Sequence, residues 1–212
     1  MNILKPQKIL FDKLRKVEDL LQEFKEKDEI ENVIVENYKN EEIELNDVTI
    51  RKAIITGVQL IDCNLEENTF IDVEFKNCNF SNSSFEKCSF IRCEFNNCKL
   101  AGCNLIESRL SDVCFIECNM LYINFSLAGI KDVLFENTIL RNSVFQENKI
   151  KNILFKETDL TQTQFLKTSL NGIDFSTSII SGIVISIEDI RGAIINEFQA
   201  LDLIGLIGVK IK

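Results

Sequence analysis

No histidine and no tryptophan occur among the 212 residues, which hold only one proline and eight glycines. Without histidine, the Ser-His and Cys-His nucleophile pairs cannot be assembled. Most catalytic zinc sites lose their usual ligand as well. With so little proline and glycine, any recurring turn must be built from ordinary side chains. There is no run of eighteen uncharged apolar residues, so no membrane-spanning helix is expected. The opening residues MNILKPQKILFDKLRKVEDLL interrupt their apolar positions with charge every few residues. No signal-peptide core is visible there, and a cytoplasmic location is the default expectation.

What is present is ordinary in bulk. Apolar residues make up 45% and charged residues 27%, the composition of one globular domain with or without small terminal additions. The net charge of −9 disfavours direct binding to nucleic acid, which depends on neutralising phosphates. It leaves room for a basic partner. Eight cysteines in an intracellular chain are expected to stay reduced.

The order of the residues is far from ordinary. Every residue whose number is a multiple of five from Leu45 to Ile185 is Leu, Ile, Phe or Met, and 13 of the 16 phenylalanines lie in this column. The residue two before each is small or β-branched and never charged, with Asn68 and Asn148 as the exceptions. Residues two apart on a strand face the same side, so the small and the large residue point inward together. A period of five then requires a turn after each short strand. If each turn is near a right angle, four repeats close one coil of about twenty residues. Neither the helical period nor a flat sheet keeps the whole column on one side. Triplets such as Cys63-Asn64-Leu65, Cys78-Asn79-Phe80, Cys103-Asn104-Leu105 and Cys118-Asn119-Met120 resemble the A(D/N)LXX repeat of the pentapeptide-repeat family. That resemblance covers residues 41–190 and implies an all-β fold, a right-handed quadrilateral parallel β-helix, here of about 7 coils.

The ends depart from the period. Leu10, Leu14, Val17, Leu21 and Phe24 recur at helical spacing, which predicts an amphipathic helix over about 6–27 within a helical N-terminal extension, residues 1–40. It could cap the exposed core, dock along the rod or recruit a partner. In the last segment, residues 191–212, Asn196 reads as the N-cap of a short helix that Gly205 or Gly208 can end. Val209–Ile211 could follow as a strand. This tail is similar to that of quinolone-resistance pentapeptide proteins, where it forms a homodimer. The resemblance makes Phe198, Leu201, Leu203, Ile204, Leu206 and Ile207 the candidate dimer contact.

Seven of the eight cysteines fall in the small inward column and read as core packing rather than metal ligands, since their directions diverge. Cys114 lies in an outward column and is the one thiol expected to react with solvent reagents. Function is expected in the outward columns. The side centred on Leu45 and Leu65 carries Glu44, Asp47, Glu66, Glu67, Glu86, Glu107 and Glu147 against Lys87 and Lys167. The side centred on Ile55 and Phe75 carries Glu74, Glu94, Glu117, Glu136, Glu157 and Asp174 against Lys76 and Lys156. Between them lies a basic side with Arg51, Lys52, Arg92, Arg109, Lys131, Lys149 and Lys151 against Asp72, Asp112 and Asp132. The fourth side balances. Outward apolar residues gather in the second half, among them Leu127, Leu134, Leu154, Tyr122 and Ile139, and clusters of this kind mark contacts.

The resemblance implies a non-enzymatic interaction or scaffold protein of a bacterial type, with no cofactor or metal, no membrane and no direct nucleic-acid contact. The alternative it implies is a DNA mimic that binds DNA gyrase or topoisomerase IV, a type II topoisomerase, through the acidic sides. Two departures weaken that alternative: the period has no loop insertion, and no inward large position is glycine.

Overall fold

The computed structural model describes residues 3–6, 14–25 and 27–209, the side chain of Ile207 apart. The chain winds into a four-sided parallel β-solenoid. Its strands are β1 (Arg15–Val17), β2 (Glu29–Glu36), β3 (Lys39–Glu41), β4 (Thr49–Thr56), β5 (Gln59–Ile61), β6 (Thr69–Lys76), β7 (Ser89–Asn96), β8 (Arg109–Ile116), β9 (Gly129–Glu136), β10 (Val144–Gln146), β11 (Lys149–Lys156), β12 (Gln164–Leu166) and β13 (Val184–Ile185). The eight-stranded main sheet runs β1-β2-β4-β6-β7-β8-β9-β11, and a second ladder runs β10-β12-β13. The register advances by one coil per strand, as in Ile50↔Phe70↔Phe90↔Leu110↔Ile130↔Ile150.

The column of large residues meets at the axis. Phe75, Phe95, Phe115, Phe135, Phe155 and Phe175 form one stack with ring centroids 4.4–5.4 Å apart. The coil spacing of about 4.8 Å is close to the separation stacked rings adopt. Edge-on contacts such as Phe80–Phe85 at 5.5 Å join neighbouring sides. Full burial of each such ring contributes about 1.5–3 kcal/mol.

The small inward column has a second task. Its hydroxyls, amides and thiols donate to the carbonyl of the large residue twenty-three positions earlier, at the corner of the preceding coil. Ser83 donates to Leu60 O (2.9 Å), Cys103 to Phe80 O (2.9 Å), Thr158 to Phe135 O (3.0 Å) and Thr163 to Leu140 O (2.7 Å). A buried carbonyl at a tight corner needs a donor, and Cys, Ser and Thr supply one without filling the axis. Asn68 and Asn148 extend the same device, each bridging two carbonyls with one amide group.

Corners place the residue two after each large one in the left-handed region, at Asn77, Asn82, Glu107 and Asp112 among many others. Asn and Asp tolerate it, which is how the chain turns with so few glycines. Tyr122 and Leu127 also hold it, with φ of 60° and 62°.

Two kinds of corner alternate. On the first and fourth sides, Asn64, Asn79, Asn104, Asn119 and Asn124 accept from the amide two residues on, at 2.9–3.3 Å. The corner then closes with a turn hydrogen bond such as Ser83 N to Phe80 O (3.1 Å). Between the second and third sides, the main-sheet strands instead continue for eight residues across the corner, turning at one left-handed residue such as Lys52, Asp72 or Asp112.

The solenoid starts earlier than the sequence reading placed it. Helix is confined to α1 (Leu20–Phe24) among the described residues of the first forty, capped by Asp19 through Gln22 N (3.1 Å). β1, β2 and β3 already belong to the coils. The inward column does extend upstream, through Val35, Ile30 and Leu20, all buried. Lys25 and Asn40 interrupt it, and those two breaks hid the first coil. Leu20 presses into the mouth of the rod, lining a residual cavity of about 30 Å³ with Leu45, Leu65 and Phe70. Leu10, in the expected helix, lies outside the described residues.

At the other end α2 (Gln199–Ile204) closes the rod. Asn196 Oδ1 accepts from the amides of Phe198 and Gln199 (both 3.0 Å), and Gln199 Oε1 accepts from the amide of Asn196 (2.8 Å). Gln199 Nε2 also donates to Phe175 O (2.7 Å) and Ser178 O (2.6 Å). It satisfies the Phe175–Ser178 corner as Asn148 satisfies Phe125–Ala128 within the rod. Gly208, at φ 75°, ends the following turn. The expected strand at Val209–Ile211 lies beyond the described residues, Val209 excepted.

Two outcomes follow. Burial pushes the thiols of Cys88, Cys93 and Cys103 up to about 12 from an ordinary 9.0. The unfolded chain therefore loses these protons first. Their contribution is fully present below about pH 9 and fades as pH rises toward 12, by up to about 1.4 kcal/mol per pH unit for each thiol. Urea midpoints should hold steady to about pH 8 and fall steeply above about pH 9. A Cys93→Ala/Cys103→Ala variant should show a shallower fall, and a flat alkaline limb in the parent would contradict thiol burial. Separately, Leu127→Asn should raise stability by about 0.5–1 kcal/mol in the same urea assay, because Leu is strained in the left-handed region, whereas Leu127→Ala should not.

Candidate interaction surface

The outward columns form ladders one residue per coil, so each side presents its charges at fixed spacing. On the first side Glu44, Asp47, Glu67 and Glu107 are exposed or partly so, while Glu66 and Glu86 are half-buried. Lys87 sits among three of these acids, 3.5 Å from Glu86 and 3.8 Å from Glu67. The field of Glu86, then Glu107 and Glu67, raises its pKa. Lys167 lies 2.9 Å from Glu147 and holds that carboxyl below its ordinary range. The acidic edge is therefore punctuated by fixed cations. Exposed pairs of this kind contribute little to stability, because water and salt screen them.

On the third side, Glu74 pairs with Lys76 at 2.5 Å, Glu136 with Lys156, and Glu94 with both Asn96 and Lys5. Glu117 stays exposed. Lys5 belongs to an N-terminal stretch that lies along this side, where the amide of Leu4 donates to Asp112 Oδ1 (3.0 Å). The acidic residues of the two sides do not converge on one point. They stand on opposite flanks of a side that carries basic residues.

That basic side is half neutralised. Arg51 meets Glu29 (2.5 Å), Lys52 meets Glu31 (2.7 Å), and Arg92 grips Asp72 with two bonds of 2.7 Å. Asp72 is buried, so this is the one of the three pairs with a desolvated carboxylate. Farther along, exposed Arg109, Lys131, Lys149 and Lys151 have no acidic partner within 4.0 Å among the described residues.

Cys114 is not the reactive thiol its outward column predicted. It is buried at 5% exposure, in register between Glu94 and Leu134. Burial, and then the charge of Glu94, push its thiol up to about 11. The outward position misled because the N-terminal stretch lies over this part of the side, with Leu4 N on Asp112 and Lys5 beside Glu94.

The six tail residues divide. Leu203 and Leu206 pack onto the rod's end against Ile190, Ala193 and Ile195, around a pocket of about 240 Å³. Phe198 and Leu201 face outward at 74% and 61% exposure. Ile204 is half-buried, and the side chain of Ile207 is outside the described set. Part of the expected contact is thus consumed by capping, a division that the apolar spacing alone does not reveal.

Comparison with known proteins accords with this geometry. Residues 68–140 match a family model described as a pentapeptide repeat region, and residues 43–82 match one described as pentapeptide repeats in eight copies. No curated protein matches significantly. Among solved structures, a trypsin-treated variant of QnrB1, a plasmid-mediated fluoroquinolone resistance protein, is similar with 15% identity and a TM-score of 0.50, over 87% of this chain and 95% of that one. Full-length QnrB1 gives 16% identity and a TM-score of 0.48, over 85% and 95%. At such identity the likeness is one of fold.

Ellman's reagent provides a direct check. All eight thiols are free and buried, and the buried neutral form is a poor nucleophile. Native protein at about pH 8 should show no rapidly titrating thiol, and denatured protein all of them. Fast labelling of Cys114 in the native state would restore the sequence expectation.

Proposed function

Because the chain belongs to the pentapeptide-repeat family, we propose that it is a non-enzymatic interaction rod, dimeric through its tail and at work in the cytoplasm, where its thiols stay reduced. The observation that carries this reading is the assignment of side chains along the coils. Every large inward residue from Phe70 to Phe175 except half-buried Ile150 is fully spent on the core, and what faces solvent is a set of ladders on a convex wall. Such a wall suits recognition by a surface of matching charge better than chemistry in a concave pocket. Exposed Phe198 and Leu201 at the capped end supply the apolar anchor for a second copy.

A second reading is favoured by one observation, the acidic first and third sides on a rod whose fold is like that of QnrB1. In it the rod presents itself to a basic DNA-binding surface of gyrase or topoisomerase IV in place of a duplex. The fixed lysines on both sides, and the basic side between them, weaken the mimicry.

Two measurements test these readings. Light scattering should give a dimer that Phe198→Asp/Leu201→Asp converts to a monomer with unchanged circular dichroism, whereas a monomeric parent removes the tail contact. In a supercoiling assay, the DNA-mimic reading requires inhibition at micromolar protein or below. It also requires loss of that inhibition in a Glu44→Lys/Glu67→Lys/Glu107→Lys variant. No inhibition leaves the general interaction reading and ends the topoisomerase one.

A further inference from the structure

One place on the rod breaks the rule that each coil bonds to the next. Between β11 and the coil that follows, residues 169–176, no backbone hydrogen bond forms on the second and third sides among the described residues. The preceding junction, β9 to β11, is fully paired. The amides of large and corner residues elsewhere bond to the following coil, as Leu160 does to Ile179 O (2.8 Å) and Gln162 to Ser181 O (2.9 Å). Those of Ile150, Asn152 and Phe155 have no such partner. The following coil pairs forward instead, with Leu170 N to Asp189 O (2.8 Å), Gly172 N to Gly192 O (2.9 Å) and Phe175 N to Ile194 O (2.8 Å). The first and fourth sides stay joined, through β10–β12 and the Asp159↔Ile179 bridge.

The secondary structure changes at this point. The eight-residue strand that crosses this corner in the earlier coils is absent from residues 169–176. Ile173 N bonds to Leu170 O (3.0 Å), Gly172 takes φ of +77°, and Asp174 accepts from Ser176 N (2.8 Å) as the asparagines of the other sides do. Its column-mates Glu74, Glu94, Cys114, Leu134 and Leu154 all lie in main-sheet strands. The gap is a cleft of about 500 Å³, with Ile150, Ile153 and Leu154 on one lip and Asn171, Ile173 and Asp174 on the other. The hydroxyls of Thr168 and Thr177 bridge its two ends, accepting from Asn148 N (3.1 Å) and Glu157 N (3.3 Å).

We propose that this cleft is a peptide-binding site at which β11 takes up an extended, acidic segment of a partner protein as an added strand, the two lips spreading to admit it. An unpaired strand edge is a template for β-augmentation. The four basic residues that lack acidic partners, Arg109, Lys131, Lys149 and Lys151, stand beside this edge, and two of them are on β11 itself. Asp112 and Asp132, on the adjoining corner, accept from Leu4 N and Asn152 Nδ2 and keep their charge, and Asp174 stands on the opposite lip. Four cations against three carboxylates leave the edge at net +1, which favours a negative strand over a positive one. This site is independent of the acidic sides and of the tail, and it stands or falls apart from the topoisomerase reading.

Hydrogen exchange on the full chain, alone and with a probe, tests it. In the free protein the amides of Ile150, Asn152 and Phe155 should exchange at least about tenfold faster than those of Ile130, Asp132 and Phe135 one coil earlier. A blocked octapeptide alternating Asp and Val should protect them. Its affinity should fall roughly tenfold when alternate amides are methylated, and the Lys-Val counterpart should not bind. Lys149→Glu/Lys151→Glu, both exposed positions, should lose the acidic peptide without a change in melting temperature. Equal protection of the two sets of amides in the free protein overturns the proposal. So does failure of the acidic peptide to protect them, or binding that survives methylation or the charge reversal.

Discussion

The structure depends on one repeated constraint: a parallel coil can stack on its neighbour only if each corner carbonyl finds a donor and each axis position is filled. The two inward columns meet these demands separately. Leu, Ile, Met and Phe fill the axis, and the residue two before each provides both room and, at many positions, a proton. Thr158 reaching Phe135 O and Cys103 reaching Phe80 O are the same act with different atoms. A hydrogen bond of this kind contributes only about 1 kcal/mol net, but an unpaired buried carbonyl costs more. The column therefore contains Cys, Ser, Thr and Asn as well as Ala and Val. Cysteines of this column are structural donors, and burial holds Cys88, Cys93 and Cys103 far from ionisation.

The same constraint explains how the rod stops. The carbonyls of Phe175 and Ser178 lie where the final coil gives way to α2, and an aliphatic cap would leave them unpaired. Gln199 brings an amide into the place the next coil would occupy, and Asn196 fixes the helix that carries it. Leu20 answers the complementary need at the opposite mouth, where apolar axis surface is what requires cover.

The period of five made the architecture legible from sequence, because a column of one residue class is visible without knowing the turn angle. Three features were not legible. The first coil was hidden because Lys25 and Asn40 interrupt the column while Ile30 and Val35 continue it. The fate of Cys114 was hidden because an outward direction does not fix exposure when a distant stretch of chain, here Leu4 and Lys5, lies over the position. The pairing of Lys5 with Glu94 joins residues far apart in the chain, and no spacing reports it. One signal was present and unread. Asn or Asp before the large residue marks positions outside the long strands, as at Asn64, Asn79 and Asp174, and neither stands at that position in the main-sheet strands.

That unread signal bears on how a repeat protein acquires a singular place. A solenoid of identical coils has no position to prefer, and a ligand would slide along it without a register. Charge ladders alone leave this degeneracy intact, since Glu67 and Glu107 present much the same surface to a partner. Only a change in the coils themselves breaks it. The loss of the strand at Gly172 and Asp174 goes with a parting of two backbones on two sides while the axis stays packed, with Phe155 and Phe175 still 5.4 Å apart. The core tolerates the defect because side-chain stacking at the axis and hydrogen bonding at the wall are carried by different columns. One can lapse locally while the other holds, and an irregular wall on a continuous core is the condition under which a uniform rod can offer one distinct binding site.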